Sequence, residues 1–234
     1  NYNVAVGYEA GKQVTTGIRN ILVGALAGDA LTDADHNVAI GFQALTSDTL
    51  GSRAIAIGHN ALANQNFTTA TDSYNIGIGY SAGDAITTGL VNTLVGGLAG
   101  DAITTGNDNT AFGYNSLTGN TASNRNTAIG SQALATFNVT TDTHTYNTAV
   151  GYAAGNAVTT GLNNTLIGGQ AGDAITASND NVAVGVGAMT TNTLSSENVA
   201  IGRSALQELN HTTATNGFNV AVGSDAGKAV TTGV

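Results

Sequence analysis

Asn37-Val38-Ala39-Ile40-Gly41-Phe42-Gln43-Ala44-Leu45 is the stretch whose reading decides the fold, because its opening phrase recurs from one end of the chain to the other. The phrase, Asn-x-(Ala/Leu)-(Val/Ile)-Gly with small variations, ends on Gly7, Gly24, Gly41, Gly58, Gly79, Gly96, Gly113, Gly130, Gly151, Gly168, Gly185, Gly202 and Gly223. The spacings read 17, 17, 17 and 21 residues, and that set occurs three times, giving a super-repeat of 72 residues. A short fixed period over a whole chain is the signature of one structural unit stacked on copies of itself.

Within each phrase the alternation is that of a short strand, with Val4 and Val6 on one face and Ala5 on the other. The residue before the glycine is always bulky: Val6, Val23, Ile40, Ile57, Ile78, Val95, Phe112, Ile129, Val150, Ile167, Val184, Ile201 and Val222. This column is expected to be the core. A strand so short cannot bury itself, but coils stacked at about 4.8 Å pair each backbone with the next and extend an apolar seam. Seventeen residues leave room for only two short strands and two turns, so helices are not expected. The glycine suits a positive φ or a close backbone approach. Asn precedes the strand in every phrase except that of Ala54, and stacked Asn side chains can hydrogen-bond along a ladder.

The reading is therefore an all-β parallel β-solenoid of 13 coils forming one repetitive domain over 1–234, with super-repeats at about 3–74, 75–146 and 147–218 and a partial repeat at 219–234. The residue after the recurrent Ala or Ser runs Gly, Gly, Leu, Leu and then repeats, with Met189 as a late variant, so neighbouring coils are expected to pack in fixed register. The sequence starts and stops within a repeat, and is expected to be an ordered stretch of a longer chain.

Composition narrows the function. Only 9% of residues are charged and the net charge is −9, against about 25% charged in ordinary soluble domains. Such a thin, acidic distribution is unsuited to nucleic acid. Cysteine is absent, so there is no thiolate metal site, and no apolar run approaches a membrane span. No cofactor or metal is expected. Gly-Asp-Ala aspartates such as Asp29, Asp101 and Asp173, with Asp33 and Asp35, lack the glycine pattern of calcium-binding β-rolls and read as solvated turns. Gly77-Ile78-Gly79-Tyr80-Ser81-Ala82 mimics a dinucleotide fingerprint inside a repeat phrase with no helix to follow. His36, His59, His144 and His211 occupy unrelated coil positions and no acidic pair stands out, so the chain is not expected to be an enzyme. The recurrent Thr-Thr-Gly is too interrupted for an ice-binding array.

Every fourth coil carries four extra residues, around Asn66, Thr68 and Thr69, Asn138, Thr140 and Thr141, and Asn210, Thr212 and Thr213. These Asn-x-Thr segments read either as Thr-rich surface turns or as protruding loops for receptor or glycan contact, with the asparagines as possible glycan acceptors.

Asn37-Val38-Ala39-Ile40-Gly41-Phe42-Gln43-Ala44 and Asn198-Val199-Ala200-Ile201-Gly202-Arg203-Ser204-Ala205 resemble the Asn/Ser-x-Ala-Ile-Gly-x-x-Ala signature of trimeric autotransporter adhesin heads. Similar repeats occur in phage tail fibres. The resemblance runs over essentially the whole chain, though the family's coils are usually nearer fourteen residues. It implies a left-handed parallel β-roll, a homotrimer with Val and Ile inward, and an extracellular cell-surface or virion-surface setting. A thin coil buries little apolar area against about 1–2 kcal/mol of backbone entropy per ordered residue, which also favours self-association. The expected function is a rigid structural spacer in an extracellular fibre or adhesin, with direct receptor or glycan binding through the Asn-x-Thr loops as the alternative.

Overall fold

A computed structural model of the chain describes residues 2–233; Asn1 and Val234, the two ends of the single-domain reading, lie outside the described residues. The chain is a parallel β-solenoid of about 13 turns, and the described residues contain no helix. It divides into two compact units, Asn1–Phe112 and Gly113–Val234. Each coil contributes one three-residue strand. The first unit stacks Val4–Val6, Ile21–Val23, Val38–Ile40, Ile55–Ile57, Ile76–Ile78, Thr93–Val95 and Thr110–Phe112. The second stacks Thr127–Ile129, Thr148–Val150, Thr165–Ile167, Val182–Val184, Val199–Ile201 and Val220–Val222. Middle residue pairs with middle residue throughout, as Ala39 with Ala56 and Leu166 with Ala183.

The core lies on the other side of the strands from the one the bulky column suggests. Val6, Val23, Ile40, Ile57, Ile78, Val95, Phe112, Ile129, Val150, Ile167, Val184, Ile201 and Val222 all point outward, and none is buried within the chain; Phe112 is 55% exposed. The interior takes the middle residue instead, such as Leu22, Ala39, Ala56, Leu94, Ala128 and Leu166. Alternation in a strand permits only one of its two faces to be inside, and the coil is too narrow for a β-branched residue there.

Close packing explains the two-on, two-off column. A methyl added to Gly28 would stand 2.8 Å from Leu22 Cδ2 and 2.8 Å from Leu31 Cδ1, because Leu22 already fills that space from the strand. Where the strand supplies Ala39 or Ala56 instead, Leu45 and Leu62 fill the same place from the turn, and both are fully buried. Leu22 thus serves the turn glycines of two successive coils, lying 2.6 Å from a methyl added to Gly11 and 2.8 Å from one added to Gly28, at the density interiors require.

Asparagines form the expected ladder, and it does two jobs. The Asn3 Oδ1 accepts the Asn20 backbone N–H at 2.8 Å, and Asn20 Oδ1 accepts that of Asn37 at 2.9 Å, tying coil to coil. The Asn20 side-chain amide donates to the Ala34 carbonyl at 2.7 Å, closing its own coil. The second unit repeats both bonds, from Asn164 to Asn147 at 3.0 Å and to Ser178 at 2.9 Å. At the gap left by Ala54, Gln65 supplies the missing amide: its Oε1 accepts from Asn75 Nδ2 at 2.8 Å and its Nε2 donates to Asp48 Oδ2 at 2.6 Å.

Asp48 is fully buried and also accepts the backbone N–H groups of Gly51 and Phe67 at 3.0 Å each. Burial is the largest influence and pushes its carboxyl above the usual range, against the lowering effect of these hydrogen bonds. Asn120 and Asn192 hold the same place in their coils and make the corresponding bonds to Ser123 and Ser195 without a charge. A raised folded-state pKa means that ionisation opposes folding: the cost is absent when Asp48 is protonated and grows as pH rises through the unfolded and then the folded value. Urea midpoints from pH 3 to 7 should therefore fall for the native chain relative to Asp48→Asn as pH rises. Parallel profiles would show that the charge is fully compensated.

Candidate functional site

Two surface features of the coil stand apart from its packing: the outward strand face and the extensions of the 21-residue coils. Because both outer residues of each three-residue strand point out, that face carries two columns. One is the mainly Val/Ile column from Val6 to Val222. The other runs Val38, Ile55 and Ile76 in the first unit, becomes Thr93 and Thr110, and continues as Thr127, Thr148 and Thr165 in the second before returning to Val182 and Val199. No charged residue stands on either column. Branching at Cβ suits a pleated surface, yet Ile40, Ile129, Ile167 and Ile201 remain 37–39% exposed. On each unit the apolar side chains repeated in this way form a patch of the kind that monomeric soluble proteins seldom leave bare.

After each residue of the Val/Ile column the chain turns on a glycine. Gly168 has φ +131°, and a methyl added to it would lie 2.6 Å from the Gly185 carbonyl carbon and oxygen. The sequence reading offered positive φ or close approach, and both hold. Beyond the glycine, two further positions adopt left-handed φ whatever residue occupies them, as with Gln43 and Leu45 at 54° each. Their N–H groups then reach neighbouring coils, to Ala25 O and Ala61 O at 3.0 Å. Those bonds offset the steric cost of the conformation.

The extensions leave strand register untouched, since Ala56 still pairs Gly77 and Ala200 still pairs Ala221 across them. Their asparagines belong to a second ladder. Thr15 and Thr32 hydroxyls donate to the carbonyls of Thr32 and Thr49, and where the longer coils follow, Thr49, Thr121 and Thr193 donate to the side-chain oxygens of Asn66, Asn138 and Asn210 one coil on, at 3.2, 2.8 and 2.7 Å. Phe67 and His211 then turn inward, 6% and 8% exposed. Thr68, Thr69, Thr140, Thr141, Thr212 and Thr213 are the exposed crest. The chain returns by a two-residue parallel pairing, Thr71–Asp72 on Gly51–Ser52 and Thr215–Asn216 on Ser195–Ser196. The Arg53 Nε lies 2.9 Å from Asp72 Oδ1, with its guanidinium 5.8 Å from the Tyr74 ring centre, and Arg125 lies 5.7 Å from the ring centre of Tyr146. These are short anchored bulges with their threonines outermost.

The four histidines stay apart. His36 lies 3.2 Å from Arg19, His59 stacks between Phe42 and Tyr80, His144 packs edge-on against Tyr146, and His211 faces the Gly233 carbonyl. Asp29 accepts from Thr46 at 2.5 Å. Asp84 is pushed up chiefly by burial and next by its neighbour Asp101, and Asp173 chiefly by burial. Among the described residues no group of three or more His, Asp or Glu is placed to hold a metal ion. Sequence reasoning missed the outward direction of the apolar face and the ring stack at His59; the latter shows in the sequence only when Phe42, His59 and Tyr80 are aligned in one column.

No family model, no curated protein and no solved structure matches the chain.

Proposed function

We propose that this chain is a structural segment of an extracellular fibre or adhesin, a rigid spacer assembled from three parallel copies that cover one another's outward strand faces. One observation carries the reading: two uncharged columns, largely β-branched, face outward along the strands of each unit, half-buried to exposed and with no member buried. A narrow coil with a single three-residue strand has little interior of its own, and burying this face would contribute at about 25 cal/mol per Å² of apolar surface removed from water. Three copies, the left-handed coil and the cell-surface or virion-surface setting come from the resemblance to trimeric adhesin heads and tail fibres, and the 72-residue super-repeat would set the length increment of the spacer.

Light scattering tests the assembly directly. A mass of three times 23.2 kDa is expected for the isolated chain, and a lysine on each unit's face, Ile57→Lys with Ile201→Lys, should yield folded monomers with an unchanged circular dichroism spectrum. A native monomer would overturn the reading.

The exposed threonine crests support a second reading, direct attachment through the extensions. Replacing Thr68, Thr69, Thr140, Thr141, Thr212 and Thr213 by alanine should leave the strand signal intact and abolish attachment to host-surface glycan or protein if the extensions bind; unchanged attachment would leave the spacer reading alone.

A further inference from the structure

The residue immediately after the strand glycine projects from the coil into solvent. At one such position, Gly169, an added methyl would meet nothing within 4 Å. The backbone at this position keeps register from coil to coil, since the next residue's N–H bonds to the carbonyl one coil back: Leu26 to Tyr8 at 2.8 Å, Gln43 to Ala25 at 3.0 Å, Asn60 to Phe42 at 3.0 Å and Ser81 to His59 at 2.9 Å. Side chains in this column therefore leave the backbone one above another, a single coil spacing of about 4.8 Å apart.

What occupies the column is uneven. In the first unit it begins Tyr8, Ala25, Phe42, His59, Tyr80, and in the second Tyr114, Ser131, Tyr152. His59 lies between two rings, 5.2 Å from the Phe42 ring centre and 5.3 Å from that of Tyr80, tilted 29° and 21°. The molecule thus shows what fits between aromatic side chains two coils apart: one ring. Ala25 and Ser131 stand where His59 does but carry no ring, so their own positions place none between Tyr8 and Phe42 or between Tyr114 and Tyr152. The four framing rings are exposed, from 44% for Phe42 to 71% for Tyr8.

From this we infer that Tyr8 with Phe42 and Tyr114 with Tyr152 form two ring-binding slots, floored by Ala25 and Ser131, whose ligand is a hexopyranose unit of a glycan. Walls two coil spacings apart leave roughly 10 Å between ring centres, so a flat aromatic ligand lying parallel midway would sit about 5 Å from each, beyond the 3.5–4.0 Å at which carbon contacts are best. His59 shows the looseness: tilted by 29° and 21°, its ring centre still lies 5.2 and 5.3 Å from those of its neighbours. A puckered saturated ring is thicker, and one with equatorial hydroxyls presents C–H groups from both faces to the two tyrosine or phenylalanine walls while its hydroxyls stay in water. The inference does not rest on the spacer reading, and it moves glycan contact from the extensions to the turn after the strand.

A β-1,4-linked glucose hexasaccharide, whose ring hydroxyls are equatorial, is the probe, titrated into the full chain in its native assembly and followed by calorimetry and by tyrosine fluorescence. Binding is expected. Ala25→His with Ser131→His installs in each slot the ring that His59 already places between Phe42 and Tyr80, so the fold should persist by circular dichroism and affinity should fall at least ten-fold. Should the filled variant not fold, Tyr8→Leu with Tyr152→Leu removes one wall of each slot and should weaken binding to a similar degree. No binding of the hexasaccharide to the native chain, undiminished binding to the folded variants, or binding of phenol in place of the sugar would overturn the assignment.

Discussion

Replacing Gly168 by alanine is expected to unfold the chain or cost several kcal/mol of stability, while the same change at Gly169, one residue on, leaves the melting temperature where it was. At Gly168 two penalties combine. Its φ of +131° lies in a region that side chains with a Cβ rarely adopt, worth of order 1–3 kcal/mol. The added methyl would also stand 2.6 Å from the Gly185 carbonyl carbon and oxygen and 3.0 Å from the Val186 nitrogen. These are backbone atoms of the next coil, which cannot rotate away as a side chain would. Relief requires parting the strands Thr165–Ile167 and Val182–Val184, which pair in register, and forced overpacking adds about 1–3 kcal/mol more. Against a total stability of about 5–15 kcal/mol, that loss is severe. Gly169 has open space at its Cβ, so alanine there tests whether φ and contact, rather than the mere loss of a glycine, are responsible. Urea unfolding of the two variants decides it: similar midpoints would mean that the coils can slide apart without cost.

The glycine column, the stacked asparagines and the parallel 17-residue coil were legible because each depends on one residue type repeating at one spacing. A run of Asn-x-Ala-Ile-Gly fixes where the strand begins and where it turns, whatever surrounds it. The direction of the strand was not legible. Val4 and Val6 lie on one face and Ala5 on the other in either orientation, and hydrophobicity alone assigns the larger residues to the inside. What reverses the assignment is width. The interior opposite Ala39 is already filled by Leu45 from the turn, and opposite Leu22 there is a glycine on each side, so volume rather than polarity selects the inner residue. The extensions read in the sequence as Thr-rich surface turns or protruding loops, and nothing local shows that Asn66, Asn138 and Asn210 continue the threonine ladder. That emerges only when each is set one coil beyond Thr49, Thr121 and Thr193, whose hydroxyls they accept. The ring slots need the same alignment, because Ala25 and Ser131 acquire meaning from His59, which lies in a different coil.

Volume exchange between strand and turn makes the last expectation specific. Leu166→Ala should destabilise the second unit by about 3–5 kcal/mol, the upper range for leucine truncation in a rigid core. Leu166 is fully buried, and its two terminal methyls fill the space above Gly155 and Gly172, where added methyls would lie 2.7 Å from Cδ1 and 2.7 Å from Cδ2. Neither glycine can collapse into the vacated space, since each coil is held at its spacing by the strand pairs and by the Asn147, Asn164 and Asn181 ladder. Adding Gly172→Leu to Leu166→Ala recreates the arrangement of Ala39 with Leu45, in which the turn supplies the leucine. Leucine tolerates the backbone there: Leu45 sits at φ 54° and Gly172 at 58°. The double variant should therefore recover about half of the loss and not all, because the space above Gly155 stays unfilled. Gly172→Leu alone should be strongly destabilising, with two leucines competing for one cavity. A double-mutant cycle in urea would then return a large favourable coupling, on the order of 2 kcal/mol or more for residues sharing one cavity. Additive losses would mean that the two positions do not exchange volume, and that the alternation of glycine and leucine along the turn has another cause.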